Sequence, residues 1–156
     1  MENLYYKGFP KKGMGSGALF LNDRNEIIFV KPTYKDYWSL PGGVVDENES
    51  PRQACIRELK EELGLEIKNV EFLCVDYVAT TPEKDENLQF IFFGGKLTPE
   101  QISSIKLPSN EIAEYKFMNV EEASPLLNAK LRKRIPECLT TLKEKSGIYL
   151  ENSQRV

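Results

Sequence analysis

Three glutamates, Glu58, Glu61 and Glu62, stand at i, i+3 and i+4 in the run CIRELKEELGL. On a helix those spacings place the side chains within about 100° of one another. Like charges so placed repel by some tenths of a kcal/mol per pair, so the cluster needs an offsetting charge. Arg57 and Lys60 are expected to point elsewhere on the helix, which argues against a salt-bridged solvent face. A hard divalent cation answers the spacing better, because Mg²⁺ takes oxygen ligands, keeps several waters and commonly bridges carboxylates to substrate phosphates. Neighbouring carboxylates also titrate as a coupled set, so one of them can stay basic enough to take a proton from a metal-bound water.

The helix that must carry them is well marked. Ser50 is an N-cap residue, Pro51 suits the first helical position, Gln53 completes an S-x-x-Q capping box, and Gly64 closes the helix. Cys55, Leu59 and Leu63 recur every four residues with Ile56 beside them, so this side faces the core and the acidic side lies next to it. Cys55 is therefore expected to be inert packing.

The rest of the composition narrows the chemistry. The chain of 156 residues contains no histidine, which excludes Ser-His-Asp and Cys-His catalysis and every histidine-based metal site. Carboxylates must then do the acid, base or metal work, with lysine, tyrosine or cysteine as weaker candidates. The three cysteines, Cys55, Cys74 and Cys138, form no CxxC pair and suggest neither a disulfide framework nor a zinc site. A net charge of -3 predicts no general affinity for nucleic acid. With no signal-like or membrane-spanning run in the sequence, the expectation is a cytoplasmic protein with no membrane partner.

The surrounding elements can be laid out from the pattern. Residues 1–156 read as one domain, with loose ends at 1–12 and 148–156. Met14 to Leu21 and Glu26 to Lys31 read as a hairpin. Gly13, Gly15 and Gly17 precede a strand rather than open a helix, so they indicate close backbone neighbours, not a dinucleotide fingerprint. Tyr37 to Leu40 is a short extended piece halted by Pro41-Gly42-Gly43. Asn69 to Thr80 and Leu88 to Leu97 predict two longer antiparallel strands. A loop or short helix, a strand near Tyr115 to Val120 and a short helix over Glu121 to Leu127 follow. Leu131, Ile135, Leu139 and Leu142 then mark an amphipathic helix kinked or restarted at Pro136. Lys130, Arg132, Lys133 and Arg134 read as a solvated face of that helix, since no aromatic platform is interleaved.

From Gly43 to Leu65 the sequence resembles the Nudix hydrolases. Their signature G-x5-E-x7-R-E-U-x-E-E-x-G-U, with U a bulky aliphatic residue, is met in full by Gly43, Glu49, Arg57, Glu58, Leu59, Glu61, Glu62, Gly64 and Leu65. The resemblance implies an α+β fold, the family's α/β/α sandwich around a mixed, largely antiparallel sheet. It also implies hydrolysis of a phosphoanhydride bond in a nucleoside diphosphate linked to another group X, with Mg²⁺ or Mn²⁺ as cofactor. By the motif's roles Glu58, Glu61 and Glu62 ligate metal, Glu58 is the in-box candidate for deprotonating the water, Glu49 and Arg57 pair behind them, and the Gly43 carbonyl completes a metal site. Many members supply one more glutamate from a loop before the last strand. Glu111 sits in that place here, with Glu114 a second choice.

Outside the motif, Lys31 is a candidate for a substrate phosphate, with a solvated lysine as the alternative. Trp38 is a candidate for stacking on a base, with core packing before the tight turn as the alternative. The partner implied is a small-molecule nucleotide, from the classes of nucleoside triphosphate, oxidised nucleotide, nucleotide sugar or ADP-ribose. A homodimer is common for this type. The competing reading is a Nudix-fold sensor that binds a nucleotide without turnover. Such domains usually lose motif glutamates, and this sequence keeps them all.

Overall fold

A computed structural model describes residues 7–156. The expected loose start at 1–12 lies outside the described residues as far as residue 6. In chain order the elements are β1 (Gly13–Leu21), β2 (Ile27–Pro32), β3 (Gly42–Val44), α1 (Pro51–Leu63), β4 (Glu71–Val78), β5 (Asn87–Lys96), α2 (Pro99–Ser103), β6 (Ile112–Met118), α3 (Val120–Ala123), α4 (Ala129–Glu144), β7 (Ile148–Glu151) and β8 (Gln154–Arg155). The strands form one mixed sheet in the order β6-β2-β1-β5-β4-β7-β8, with β3 paired to β1. β1 with β5 and β4 with β7 are parallel, and the other pairings are antiparallel.

β1 explains why its sequence reads as an unbroken apolar run. Its successive side chains serve two cores, Ala18 and Phe20 on one face and Leu19 and Leu21 on the other, and all four are buried. α1 covers the first face with Cys55, Leu59 and Leu63, and α4 covers the second with Leu131, Ile135 and Cys138. The result is the three-layer α+β arrangement expected. The α1 caps are as read from the sequence: Ser50 accepts from the Gln53 amide, Gln53 reaches back to the Ser50 amide, and Gly64 takes a φ of 69°.

The first hairpin differs from expectation. β1 and β2 pair at Leu21 and Ile27, and then the 38–44 segment enters between them. Val30 and Ser39 exchange backbone hydrogen bonds, the Ala18 amide donates to the Pro41 carbonyl, and β3 lies antiparallel on Gly15, Ser16 and Gly17. Splaying the hairpin is what brings the Pro41-Gly42-Gly43 turn into the middle of the sheet.

Three other expectations are corrected or sharpened. β6 begins at Ile112, three residues before the expected start, because the whole run from Ile112 pairs with β2. α4 runs through Pro136 as one element rather than restarting. Residues 148–156 do not fray: β7 adds in parallel to β4, and Asn152 and Ser153, at φ 50° and 64°, turn the chain back as β8. Leu150 is fully buried, and Ser153 donates through its amide and its hydroxyl to Asp76 at 3.0 and 2.8 Å. Burial of Leu150 and the need of a buried carboxylate for donors hold the tail in place.

Candidate active site

Gly42 and Gly43 decide what α1 can present to the cleft beside it. Gly42 has a φ of 148°, and a Cβ there would overlap the Ser16 carbonyl. Its amide donates to Glu62 Oε2 at 2.7 Å. At Gly43 the space of a Cβ is taken by the Glu58 carboxylate. With no side chains on β3 at these two positions, Glu58 and Glu62 reach past the strand into a cleft of about 750 Å³ that Glu61 and Glu111 also line. The two glycines predict separable outcomes. Gly42→Ala strains backbone against backbone and lowers the melting temperature, whereas Gly43→Ala displaces only a carboxylate and lowers turnover while thermal unfolding stays close to wild type.

Arg57 corrects the sequence reading. It does not point away from the acidic side but bridges it: Nε and Nη2 hold both oxygens of Glu49 at 2.9 Å, and Nη1 lies 2.8 Å from Glu58 and 3.1 Å from Glu61. Nη2 also donates to the Val44 carbonyl. The forked guanidinium thus ties the loop before α1, β3 and the acidic helix face together. Lys60 does point away, toward Glu66.

The carboxylates differ in their surroundings. The Arg57 hydrogen bonds hold the Glu49 carboxyl below the usual carboxylate range. Burial pushes Glu58 up, against the opposing pull of Arg57. Glu62, only 6% exposed, is pushed up to about 7 by burial, with the Gly42 amide opposing and the charge of Glu58 adding. Such a group asks for a cation. Glu58, Glu61, Glu62 and the Gly43 carbonyl are an all-oxygen donor set of the kind Mg²⁺ or Mn²⁺ takes. Among the described residues no group of carboxylates and thiols already stands in position to hold a metal ion, because Arg57 holds Glu58 and Glu61 and the Gly42 amide holds Glu62. Rotation of those side chains is what an ion would require.

The remaining candidates divide. Glu111, in the loop before β6, lines the cleft, and its charge acts on both Glu58 and Glu62. Glu114 stands opposite Lys31 on the β2–β6 ladder instead. Lys31 is not in the cleft wall: its ammonium donates to the Lys35 carbonyl at 2.7 Å and shapes the loop that places Lys35 there. Trp38 packs against the α4-side core, and its amide donates to the Leu126 carbonyl, so the core alternative describes it. Lys35, Lys84 and Gln89 line the cleft and were not singled out from the sequence, and Lys130 and the buried Arg134, expected on a solvated face, line it too. Lys35 and Lys84 carry no sequence signal, whereas Lys130 lies one helical turn before Arg134, which itself falls on the apolar stripe of α4.

Comparison with known proteins gives the family and the fold. The NUDIX domain family model matches residues 11–140, and the chain belongs to that family. Over 57 residues it is 46% identical to an RNA pyrophosphohydrolase of Hydrogenovibrio crunogenus, a stretch covering 36% of this chain and 34% of that protein. The first curated relatives are matched over about a third of their length or less. Among solved structures, a UDP-X diphosphatase superposes with a TM-score of 0.75 at 23% identity, covering 92% of this chain and 68% of that one. The NUDIX domain of Shewanella oneidensis NrtR, in complex with ADP ribose, does so at 0.68 and 16%, covering 93% and 99%. These two likenesses concern the fold.

Proposed function

We propose that this chain is a divalent-cation-dependent pyrophosphohydrolase that cleaves a phosphoanhydride bond in a nucleoside diphosphate linked to a further group. The observation that carries the reading is the convergence of Glu58, Glu61, Glu62 and Glu111 on one cleft wall beside two glycines that leave them room. When bound, Mg²⁺ or Mn²⁺ neutralises phosphate charge and acidifies water. Glu58, Glu61 and Glu62 would hold it, together with the Gly43 carbonyl. Arg57 ties Glu58 and Glu61 to Glu49 behind them and offsets their charge, and these two carboxylates would turn from it to take the ion. Glu58 and Glu111, which both line the cleft, are the two candidates to accept the proton of an attacking water, and the raised proton affinity of Glu58 supports its candidacy. Lys35 supplies positive charge next to Glu62, where a substrate phosphate would arrive.

A panel of nucleoside triphosphates, nucleotide sugars, ADP-ribose, dinucleoside polyphosphates and RNA with a 5′-triphosphate end, assayed with Mg²⁺ and with Mn²⁺, tests the proposal. Release of a nucleoside monophosphate, or of pyrophosphate from RNA, that stops on chelation is the expected result. Binding of one member without any turnover would give the sensor reading its place.

A further inference from the structure

The cleft carries its charges in two groups. Its carboxylates, Asp46, Glu58, Glu61, Glu62 and Glu111, come from α1, the loop before it and the loop before β6. None of them comes from α4 or from the turn between β4 and β5. Those two elements contribute Lys130, Arg134 and Lys84 instead. β1 lies between the groups, paired to β3 on one side and to β5 on the other, so that Gly15 faces Val44 across one ladder and Gln89 across the other. Gly15 has no side chain, and the Gln89 carboxamide lies over it. Gln89 therefore lies on the cleft floor between the acidic end and the basic end.

Arg134 is a built feature of the basic end rather than a surface residue. It is 5% exposed, and its Nε and Nη2 lie 2.8 and 2.6 Å from Asp76 Oδ2. Asp76, fully buried on β4, holds the guanidinium in the cleft wall. Nη1 makes no bond to the described residues. One turn earlier Lys130 is half-buried in the same wall, and its ammonium also lacks a partner among the described residues, as does that of Lys84 across the cleft. The nearby Glu86 is engaged by Lys12 and by the Tyr77 hydroxyl, so it does not neutralise them. Two ammonium groups and one guanidinium edge without a partner among the described residues, at the far end of a cleft whose other end is acidic, are arranged for an anion.

We infer that Lys130, with Nη1 of Arg134 behind it, forms a subsite for a second anionic group of the substrate, which makes a chain of three or more phosphates the preferred substrate over a nucleoside diphosphate linked to a neutral sugar. The inference rests on the proposed function for its account of the acidic end. At the basic end it rests on Lys130 and Arg134 alone. Lys84 and the Gln89 carboxamide complete the wall around the same group.

The test compares wild type with Lys130→Ala and Lys130→Glu, and with Lys133→Ala on the exposed side of α4 as a control, on a nucleoside triphosphate and on the matching nucleoside diphosphate sugar. One lost charge-assisted contact is worth about tenfold. The ratio of kcat/KM for the triphosphate over the sugar nucleotide should fall about tenfold in Lys130→Ala through KM, further in Lys130→Glu, and not in Lys133→Ala. Calorimetry with inorganic tripolyphosphate in the presence of chelator should show binding that weakens in the same order. An unchanged ratio together with equal tripolyphosphate binding in wild type and Lys130→Glu would overturn the inference while leaving the hydrolase intact. Tripolyphosphate binding that depends on Lys130, in a protein that turns over no nucleotide, would uphold the subsite and remove the proposed function.

Discussion

Glu62→Gln is expected to reduce Mg²⁺-dependent nucleotide hydrolysis by a factor on the order of 10³ or more, since a lost metal ligand forfeits several kcal/mol of charge stabilisation at phosphorus. The same substitution should stabilise the metal-free protein at alkaline pH. The folded-state pKa of Glu62 is raised from 4.5 to about 7, so its neutral form is the one the fold favours. The stability associated with it is fully present below about pH 4.5 and is lost as pH rises through about 7. The full shift corresponds to about 3 kcal/mol. Glutamine is neutral throughout and can still accept from the Gly42 amide. In chelator, Glu62→Gln should therefore melt above wild type at pH 8 and level with it at pH 4.5, and added Mg²⁺ should raise the melting temperature of wild type more than that of the variant. Unchanged activity in Glu62→Gln would defeat the metal assignment, and equal melting of the two proteins at pH 8 would defeat the account of Glu62 burial.

Asp76→Ala is expected to cost the fold about 3–5 kcal/mol, the penalty for leaving one partner of a buried ion pair without the other. Asp76 is fully buried and accepts from Arg134 and from both donors of Ser153, so the loss reaches three elements, β4, α4 and the β7–β8 hairpin. Urea unfolding should show a lower midpoint, and limited proteolysis should cut first near Asn152. Replacing both charges, with Asp76→Leu and Arg134→Met together, should recover most of the loss because no orphaned charge remains. A loss below about 1 kcal/mol in Asp76→Ala would mean that water relieves Arg134 through the cleft. In that case the guanidinium is not held by the fold.

The α1 segment was legible because its information is local. A capping box, a terminal glycine and a four-residue apolar repeat determine where the helix begins, where it ends and which side is buried, and these are short-range effects of backbone hydrogen bonding and side-chain period. The acidic side follows from the same period, so Glu58, Glu61 and Glu62 could be named without coordinates. Arg57 was misjudged because its long side chain curls back to the glutamates on either side of it, a choice made by Glu49 and the Val44 carbonyl outside the helix. The tail was misjudged for a similar reason. Asn152-Ser153 is a usable turn, but what makes it form is Asp76, more than seventy residues earlier in the chain.

The opposite wall of the cleft shows the limit most clearly. Arg134 was read as part of a solvated face, yet it falls with Leu131 and Cys138 on the buried stripe of α4, and Cys74, Asp76 and Val78 alternate inward on β4. Only the packing of α4 on β4 reveals that the two charges neutralise each other. The same packing brings Cys74 and Cys138, read as unrelated cysteines, to 3.4 Å between sulfurs. The sequence by itself determined the acidic helix, its caps, the family signature and the absence of histidine chemistry, because each is written in residues close together in the chain. The tertiary structure decided that Glu111 joins the helix glutamates, that Lys31 and Trp38 do not, and that a basic wall faces them. Those placements depend on where strands pair and helices pack, and the energies that set them are shared among residues far apart in sequence.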